Sequence, residues 1–193
     1  MSEPRDTATD VSEAERAQLD ALAGLLRARN ALDAEIVRII GRPASTGNLG
    51  EFIAARIFDI HLAASGVNPG HDGYFASGLL EGKTVNIKLY SRDDALLDIS
   101  VHASDYYLVM RGPRPAKATG PRALPFRIDS IYLFESLSLR GVLAEARVRV
   151  GVATSVRRVV WDAARIYPAA PGAPLVLTDA QMAMIAAFGA ASS

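Results

Sequence analysis

The chain has 193 residues, half of them apolar, which suits one compact domain with an additional element. Its 21 basic and 21 acidic side chains cancel, so any contact with nucleic acid or a membrane would need a local patch of charge. The absence of cysteine excludes disulfides, thiolate metal sites and a cysteine nucleophile. The sequence has no apolar run of about 20 residues, and its N-terminus is acidic rather than basic and apolar. We therefore expect a cytoplasmic protein that makes no membrane contact.

The N-terminal part of the chain predicts helices. Residues 1–10 are small, polar and charged without periodicity, which is typical of a disordered tail. Apolar residues then recur at helical spacing over 11–41, where a slip near Asn30 could divide the pattern into two helices. A second helix is predicted over 49–60, after a run of capping residues. We interpret 11–41 as a helical extension and 42–193 as the main domain.

Beyond residue 66 the pattern changes to short strands and turns. Five strands are predicted, at 71–76, 83–90, 105–111, 126–134 and 148–152. Three further helices are predicted, at 135–146, 155–166 and 179–188. A proline-rich surface loop occupies 112–125. The order of helices, strands and helices predicts an α+β (mixed α/β) domain with a small mixed sheet of four to five strands flanked by helices.

One pair of these strands carries the residues that could perform chemistry. Asn86 and Lys88 lie two apart in the strand V-N-I-K-L-Y, so they share one face of the sheet while Ile87 points to the other. A tight hairpin would bring Asp72 close to them, and Glu51 would join them if its helix packs against the same face. Carboxylate and amide oxygens suit Mg²⁺, and a nearby ammonium can neutralise developing charge. A lysine that is simply solvated is the other interpretation of this pattern.

The same segments resemble a known superfamily. A helix with G-E, a strand with Asp, a turn and a strand with I-K resemble the restriction-endonuclease-like PD-(D/E)xK superfamily, over about 47–111. More narrowly, G-R-P-A-S-T-G-N-L-G-E, D-G-Y-F, V-N-I-K-L-Y and D-Y-Y-L-V resemble a bacterial family of uncharacterised proteins, which implies no biochemistry. The broader resemblance implies a restriction-endonuclease-like core, a mixed four-stranded sheet flanked by helices. It also implies a divalent-metal-dependent nuclease that hydrolyses the phosphodiester bonds of DNA.

The resemblance further implies roles for individual residues. Asp72 would bridge the metal, Glu51 would be the helix-borne acid, and Lys88 would be the catalytic lysine. Asn86 stands where the superfamily usually has a carboxylate, and with the backbone carbonyl of Ile87 it would complete a site for Mg²⁺ or Mn²⁺. Because an amide lacks the negative charge, we expect weaker metal affinity. A catalytically inactive module that binds nucleic acid or a partner protein is therefore the alternative.

Two clusters of basic residues are candidate contacts for nucleic acid. One lies in and beside the proline-rich loop and comprises Arg111, Arg114, Lys117 and Arg122. The other lies near a later helix start and comprises Arg157 and Arg158. Such clusters could bind phosphates with an affinity that falls steeply as salt rises, or they could only solvate the surface.

Two further alternatives concern the missing carboxylate and the oligomeric state. Asp93, Asp94 and Asp98 follow the strand and could supply a carboxylate, although such a cluster is more often a solvated loop. The N-terminal helices could join two copies into a homodimer, which would make the protein an oligomeric scaffold. Many nucleases of the resembled fold cut two strands as dimers, so a dimer would suit either function.

Overall fold

The computed structural model describes residues 12–64, 70–100, 102, 104–114 and 125–190. The chain divides into two compact units, Met1–Ala44 and Ser45–Ser193. The predicted tail over 1–10 and most of the predicted loop over 112–125 lie outside the described residues. Among the helices of the described ranges, none is both long and apolar enough to cross a membrane.

The first unit carries helix α1, Glu13–Ile40. Ser12 and Glu15 form a capping box at its start: Glu15 N donates to Ser12 Oγ at 3.3 Å, and Ser12 N donates to the Glu15 carboxylate at 2.9 Å. Gly41, with φ of 69°, ends the helix in a left-handed conformation that glycine adopts readily. Asn30 does not divide the helix, since a residue of modest helix propensity costs at most about 0.7 kcal/mol in a helix interior.

The second unit is built on a mixed sheet. Its strands are β1 (Ile60–Leu62), β2 (Gly73–Phe75), β3 (Thr84–Tyr90), β5 (Tyr106–Arg111), β6 (Ser130–Glu135) and β8 (Arg165–Tyr167). Within the described residues they form one six-stranded sheet in the order β1-β2-β3-β5-β6-β8. The central strands β3 and β5 pair in parallel, and the other neighbours pair antiparallel. The short strands β4 (Leu96–Leu97) and β7 (Thr154–Ser155) pair separately with each other.

Four helices of the second unit cover the two faces of this sheet. They are α2 (Thr46–Phe58), α3 (Ser136–Glu145), α4 (Arg158–Ala164) and α5 (Asp179–Ala186). Apolar side chains of α2 and α5 pack on the face that carries Val85 and Ile87. Apolar side chains of α3 and α4 pack on the opposite face, which carries Tyr107 and Val109. The sheet therefore separates two hydrophobic cores, and alternate residues of β3 point toward different ones.

The predicted α+β class is confirmed, and the details of the sheet differ from expectation. The sheet has six strands rather than four or five because β1 and β8, of three residues each, extend it at its edges. The predicted helices over 49–60 and 155–166 ended inside these segments, and the remaining residues were assigned to no element, since three residues are too few to show strand periodicity. The predicted strand at 148–152 is not formed, and the pairing there begins only at Thr154.

Candidate active site

Asp72 lies immediately before β2 and contacts β3 on both sides of Asn86. Its backbone N–H donates to the carbonyl oxygen of Val85 at 2.9 Å. Its side-chain Oδ2 accepts from the backbone N–H of Ile87 at 2.5 Å. The hairpin that joins β2 and β3 thus places Asp72 beside Asn86 and Ile87.

Gly73, the residue after Asp72, allows the close approach of β2 to β1 that holds Asp72 in place. A Cβ on Gly73 would lie 2.3 Å from the carbonyl oxygen of His61, a separation that real Cβ atoms do not show. Only glycine therefore lets β2 approach β1 this closely. The carbonyl oxygen of Asp72 also accepts from the N–H of Ala63 at 2.8 Å, so Asp72 is held by hydrogen bonds to both neighbouring segments.

The backbone of Ile87 lies beside Asp72, whereas its side chain packs in the core. The side chain is buried in the core that α2 covers. In a strand, the N–H and C=O of one residue point toward the same neighbouring strand. Since the N–H of Ile87 points to Asp72, its carbonyl oxygen points to the same side of β3.

Asn86 is buried, with 7% of its surface exposed, and its side-chain Oδ1 has no hydrogen-bond donor among the described residues. A buried acceptor left without a partner costs about 1–3 kcal/mol, so this oxygen is suited to receive a cation or a donor from a ligand. Together with the Asp72 carboxylate and the Ile87 carbonyl it offers hard oxygen ligands of the kind that Mg²⁺ prefers. These residues fit a divalent metal, although they supply only one full negative charge.

No group of three or more His, Cys, Asp or Glu residues that could hold a metal ion occurs in the part of the chain that the structure describes. A metal at Asp72 would therefore depend on amide and backbone carbonyl oxygens as well as on carboxylate. Neutral oxygens bind a divalent cation less strongly than carboxylates do, because they contribute no net charge.

Lys88 lies on the same face of β3 as Asn86 and is half-buried. It forms no ion pair with any described residue, so its ammonium is not engaged by a carboxylate of the protein there. Tyr90 follows on this face, and burial is the largest cause that raises its pKa to about 12. The phenol is therefore protonated at neutral pH, which excludes Tyr90 as a general base there.

The helix that carries Glu51 does not pack against the face of Asn86 and Lys88, a packing that the sequence analysis required. This helix, α2, packs against the opposite face of β3, where a Cβ on Gly50 would lie 2.7 Å from the Cβ of Leu89. The role of Glu51 as a metal ligand stays a prediction that rests on the resemblance.

The aspartates that follow β3 are engaged elsewhere. Asp93 pairs with two arginines. Asp94 pairs with Arg92 at 3.0 Å, and Asp98 accepts from the N–H of Ala153 at 2.7 Å. These contacts anchor the segment after β3, which favours the interpretation as a structural loop over a supply of the missing carboxylate.

Three of the six basic residues that were candidates for nucleic-acid contact meet at one cavity, and two others, Lys117 and Arg122, lie outside the described residues. Arg111, Arg114 and Arg158 line a cavity of about 180 Å³, together with Arg165. Arg157 instead lines a different, largely apolar pocket beside α3. Arg165 was missed because it lies in β8, a strand that the sequence pattern did not reveal.

The arrangement offers oxygen ligands at Asp72 and its neighbours and presents an ammonium on the same face of β3 as Asn86. Comparison of the sequence with models of known protein families gives no match, and comparison with curated proteins gives none either. The functional assignment therefore depends on the residues and the geometry.

Proposed function

We propose that the chain is a divalent-metal-dependent nuclease with a variant Asp…Asn-x-Lys site on a restriction-endonuclease-like core. The observation that carries the proposal is the contact of Asp72 with the backbone on both sides of Asn86, whose buried Oδ1 lacks a donor among the described residues. A mixed sheet covered by helices on both faces is compatible with such a core and supports the proposal.

The residues of the site would divide the chemistry between them. Mg²⁺ or Mn²⁺, when bound, supplies a Lewis acid and a water of lowered pKa. The carboxylate of Asp72, Oδ1 of Asn86 and the backbone carbonyl of Ile87 would hold it. The ammonium of Lys88 would orient the attacking water and neutralise the charge that develops on the phosphate. Glu51, if it acts as the resemblance implies, would add a second carboxylate.

A second function, binding of nucleic acid or a partner without cleavage, is favoured by a different observation. The missing carboxylate at Asn86 weakens the case for catalysis, whereas the arginines that line one cavity provide a positively charged surface feature. A module of this kind would bind DNA with an affinity that falls as salt rises, and would do so without metal.

The test of the nuclease is a cleavage assay on plasmid, linear and single-stranded DNA and on RNA, with Mg²⁺ and then Mn²⁺. Asp72→Asn keeps an oxygen that can accept from the N–H of Ile87 and removes the negative charge. A loss of cleavage in this variant would therefore reflect the missing charge rather than a loss of folding. Lys88→Met removes the ammonium, and Lys83→Met is the matched control because Lys83 is exposed and precedes β3. We expect Asp72→Asn and Lys88→Met to lose roughly 100-fold or more of the rate, with Lys83→Met unchanged.

Absence of metal-dependent cleavage by the parent, or cleavage that both site variants retain, would show that the nuclease proposal is wrong. Salt-dependent DNA binding without cleavage would support the second function. Light scattering of the full chain over a range of concentrations tests the homodimer, which stays a prediction from the sequence.

A further inference from the structure

The cavity lined by Arg111 carries an excess of positive charge. Its charged lining consists of four arginines and two aspartates, namely Arg111, Arg114, Arg158, Arg165, Asp93 and Asp162. Four formal positive charges and two negative charges leave the cavity with a net charge of +2. Because the guanidinium group does not lose its proton in proteins, this excess persists at all ordinary pH values.

Arg111 is the most deeply placed of these arginines. It is 2% exposed, and its guanidinium carbon lies 4.1 Å from the ring centroid of Trp161 and 5.7 Å from that of Tyr132. Its Nη2 is in ion-pair contact with Asp93 without meeting the geometry of a hydrogen bond, and its Nε has no acceptor among the described residues. Asp93 thus compensates the buried charge, while the guanidinium keeps an unsatisfied buried donor, which is costly.

The two carboxylates are each shared between two arginines. Asp93 also pairs with Arg114, at 3.3 Å. Asp162 pairs with Arg158 at 3.5 Å and with Arg165 at 3.9 Å. Shared pairs at these distances leave several guanidinium N–H groups free to donate to a ligand.

Several buried donors of residues that line the cavity have no acceptor among the residues that the structure describes. Three buried N–H groups of lining residues have no acceptor within the described part of the chain: Nε of Arg111, Nε of Arg165 and Nε1 of Trp161. Buried polar groups in folded proteins are nearly always satisfied, so these three groups show that the described residues themselves leave the polar lining of the cavity incompletely satisfied.

We propose that this cavity binds the dianionic phosphoryl group of a phosphomonoester. The charge of that group, about −2 at neutral pH, matches the net charge of +2, whereas a single carboxylate would match half of it. Its three terminal oxygens can accept from several guanidinium groups at once, and paired N–H···O bonds from arginine suit phosphate geometry.

The rest of the ligand lies outside the cavity. A volume of about 180 Å³ suits a small anion with its water rather than a whole nucleotide. The Trp161 indole is 3% exposed and packs edge-to-face against Tyr132 and Phe134, so its ring is not available to stack on a base. Free phosphate, a nucleotide and the 5′-phosphorylated end of a nucleic acid share the chemistry that the cavity recognises.

The proposal is independent of metal-dependent cleavage, because none of the cavity residues belongs to the Asp72 site. Binding is therefore measured in EDTA at pH 7.5 by calorimetry and by the fluorescence of Trp161, the only tryptophan of the chain. The probes are inorganic phosphate, a 5′-mononucleotide, a 5′-phosphorylated oligonucleotide and the same oligonucleotide with a 5′-hydroxyl group.

The test variant is the double substitution Arg114→Gln and Arg158→Gln, whose side chains are 69% and 76% exposed, so that folding is preserved. The control is Arg147→Gln with Arg149→Gln, which removes the same charge from exposed residues that do not line the cavity. We expect saturable binding of the phosphorylated probes. That affinity should fall at least tenfold in the test variant and change less than twofold in the control.

The probes also separate the sources of the phosphoryl group. Equal affinity for the mononucleotide and the phosphorylated oligonucleotide would assign a small phosphomonoester, and tighter binding of the oligonucleotide would assign a nucleic-acid end. The proposal is overturned if no phosphorylated probe binds saturably, if the control loses as much affinity as the test variant, or if the 5′-hydroxyl oligonucleotide binds as well as the phosphorylated one.

Discussion

The guanidinium of Arg111 lies over the indole of Trp161, 4.1 Å from its centroid, and pairs with the carboxylate of Asp93. Because Arg111 is 2% exposed, Asp93 is the carboxylate that compensates a buried charge. Asp93→Ala would leave that charge uncompensated, and we expect the free energy of unfolding to fall by about 3 kcal/mol. Urea denaturation of the two proteins measures this difference.

Asp94 provides the control for that experiment. Its partner, Arg92, has a side chain that is 58% exposed, so their ion pair contributes little in water. Asp94→Ala should lower the free energy of unfolding by less than about 1 kcal/mol. Equal losses in the two variants would mean that burial of Arg111 is not what makes Asp93 important.

Asn86→Asp restores the carboxylate that the resembled superfamily usually has at this position. Without metal, a charge replaces a buried amide, and we expect the melting temperature to fall by several degrees, equivalent to about 1–3 kcal/mol. Mn²⁺ or Mg²⁺ should recover the loss and raise the cleavage rate, because binding to the folded state alone stabilises it. Thermal melts with metal and with EDTA measure the recovery.

Asn86→Leu separates metal binding from packing at this position. It removes the orphaned Oδ1 and keeps a similar volume, so stability should be unchanged or slightly raised while metal no longer affects the melting temperature. If Mn²⁺ shifts the melting temperatures of the parent, Asn86→Asp and Asn86→Leu equally, the metal is bound elsewhere.

Gly50 and Gly47 lie about one turn apart on α2. We expect substitution by alanine to have opposite effects on stability at these two positions. A Cβ on Gly50 would lie 2.7 Å from the Cβ of Leu89, and we expect Gly50→Ala to cost about 1–3 kcal/mol through overpacking. A Cβ on Gly47 would meet nothing within 4 Å, so Gly47→Ala should stabilise the protein by about 0.5 kcal/mol. Chemical denaturation measures both changes. Equal changes in the free energy of unfolding would contradict the packing of α2 on β3.

We expect the stability of the fold to depend on pH in the acid range because of Asp105. Its Oδ2 accepts from Thr84 N at 2.8 Å and from Thr84 Oγ1 at 2.7 Å, and chiefly the backbone hydrogen bond lowers the pKa of Asp105 below its ordinary 3.8. A lowered folded-state pKa stabilises the fold above pH 3.8, and the effect is lost as pH falls through the lowered value.

Asp105→Asn keeps an acceptor oxygen and removes the titration, so it is the matched variant. The difference in melting temperature between parent and variant should be largest at neutral pH and should shrink as pH falls below about 4. A difference that is constant across this range would exclude the proposed contribution of the charge.

The central part of the fold could be predicted because its signals are local. The strand Thr84–Tyr90 alternates clearly, and Ser45 and Thr178 cap their helices through side-chain oxygens as the sequence suggests. The edge strands β1 and β8 could not be predicted, since each has three residues and is defined by its partner. Each is paired through tertiary contacts, which override the helical pattern that precedes the strand.

The two candidate sites also differ in how far they could be predicted from the sequence. Asp72 lies immediately before β2, and Asn86 and Lys88 lie on the next strand of the same hairpin. The hairpin therefore brings Asp72 beside Asn86, and strand alternation puts Lys88 on the face of Asn86. The arginine cavity combines β5, α4 and β8, which are far apart in sequence and linked by no period. Arg165 and Trp161 could be assigned to it only once the packing was known.

The alternation of β3 has an evolutionary consequence. Val85 and Ile87 face the core under α2, whereas Asn86 and Lys88 face the other way, so neighbouring codons are subject to different kinds of selection. Substitutions at 86 and 88 can change the chemistry of the strand while the packing at 85 and 87 preserves the domain. Single substitutions at 86 and 88 can therefore alter the polar groups of this face while the domain remains folded.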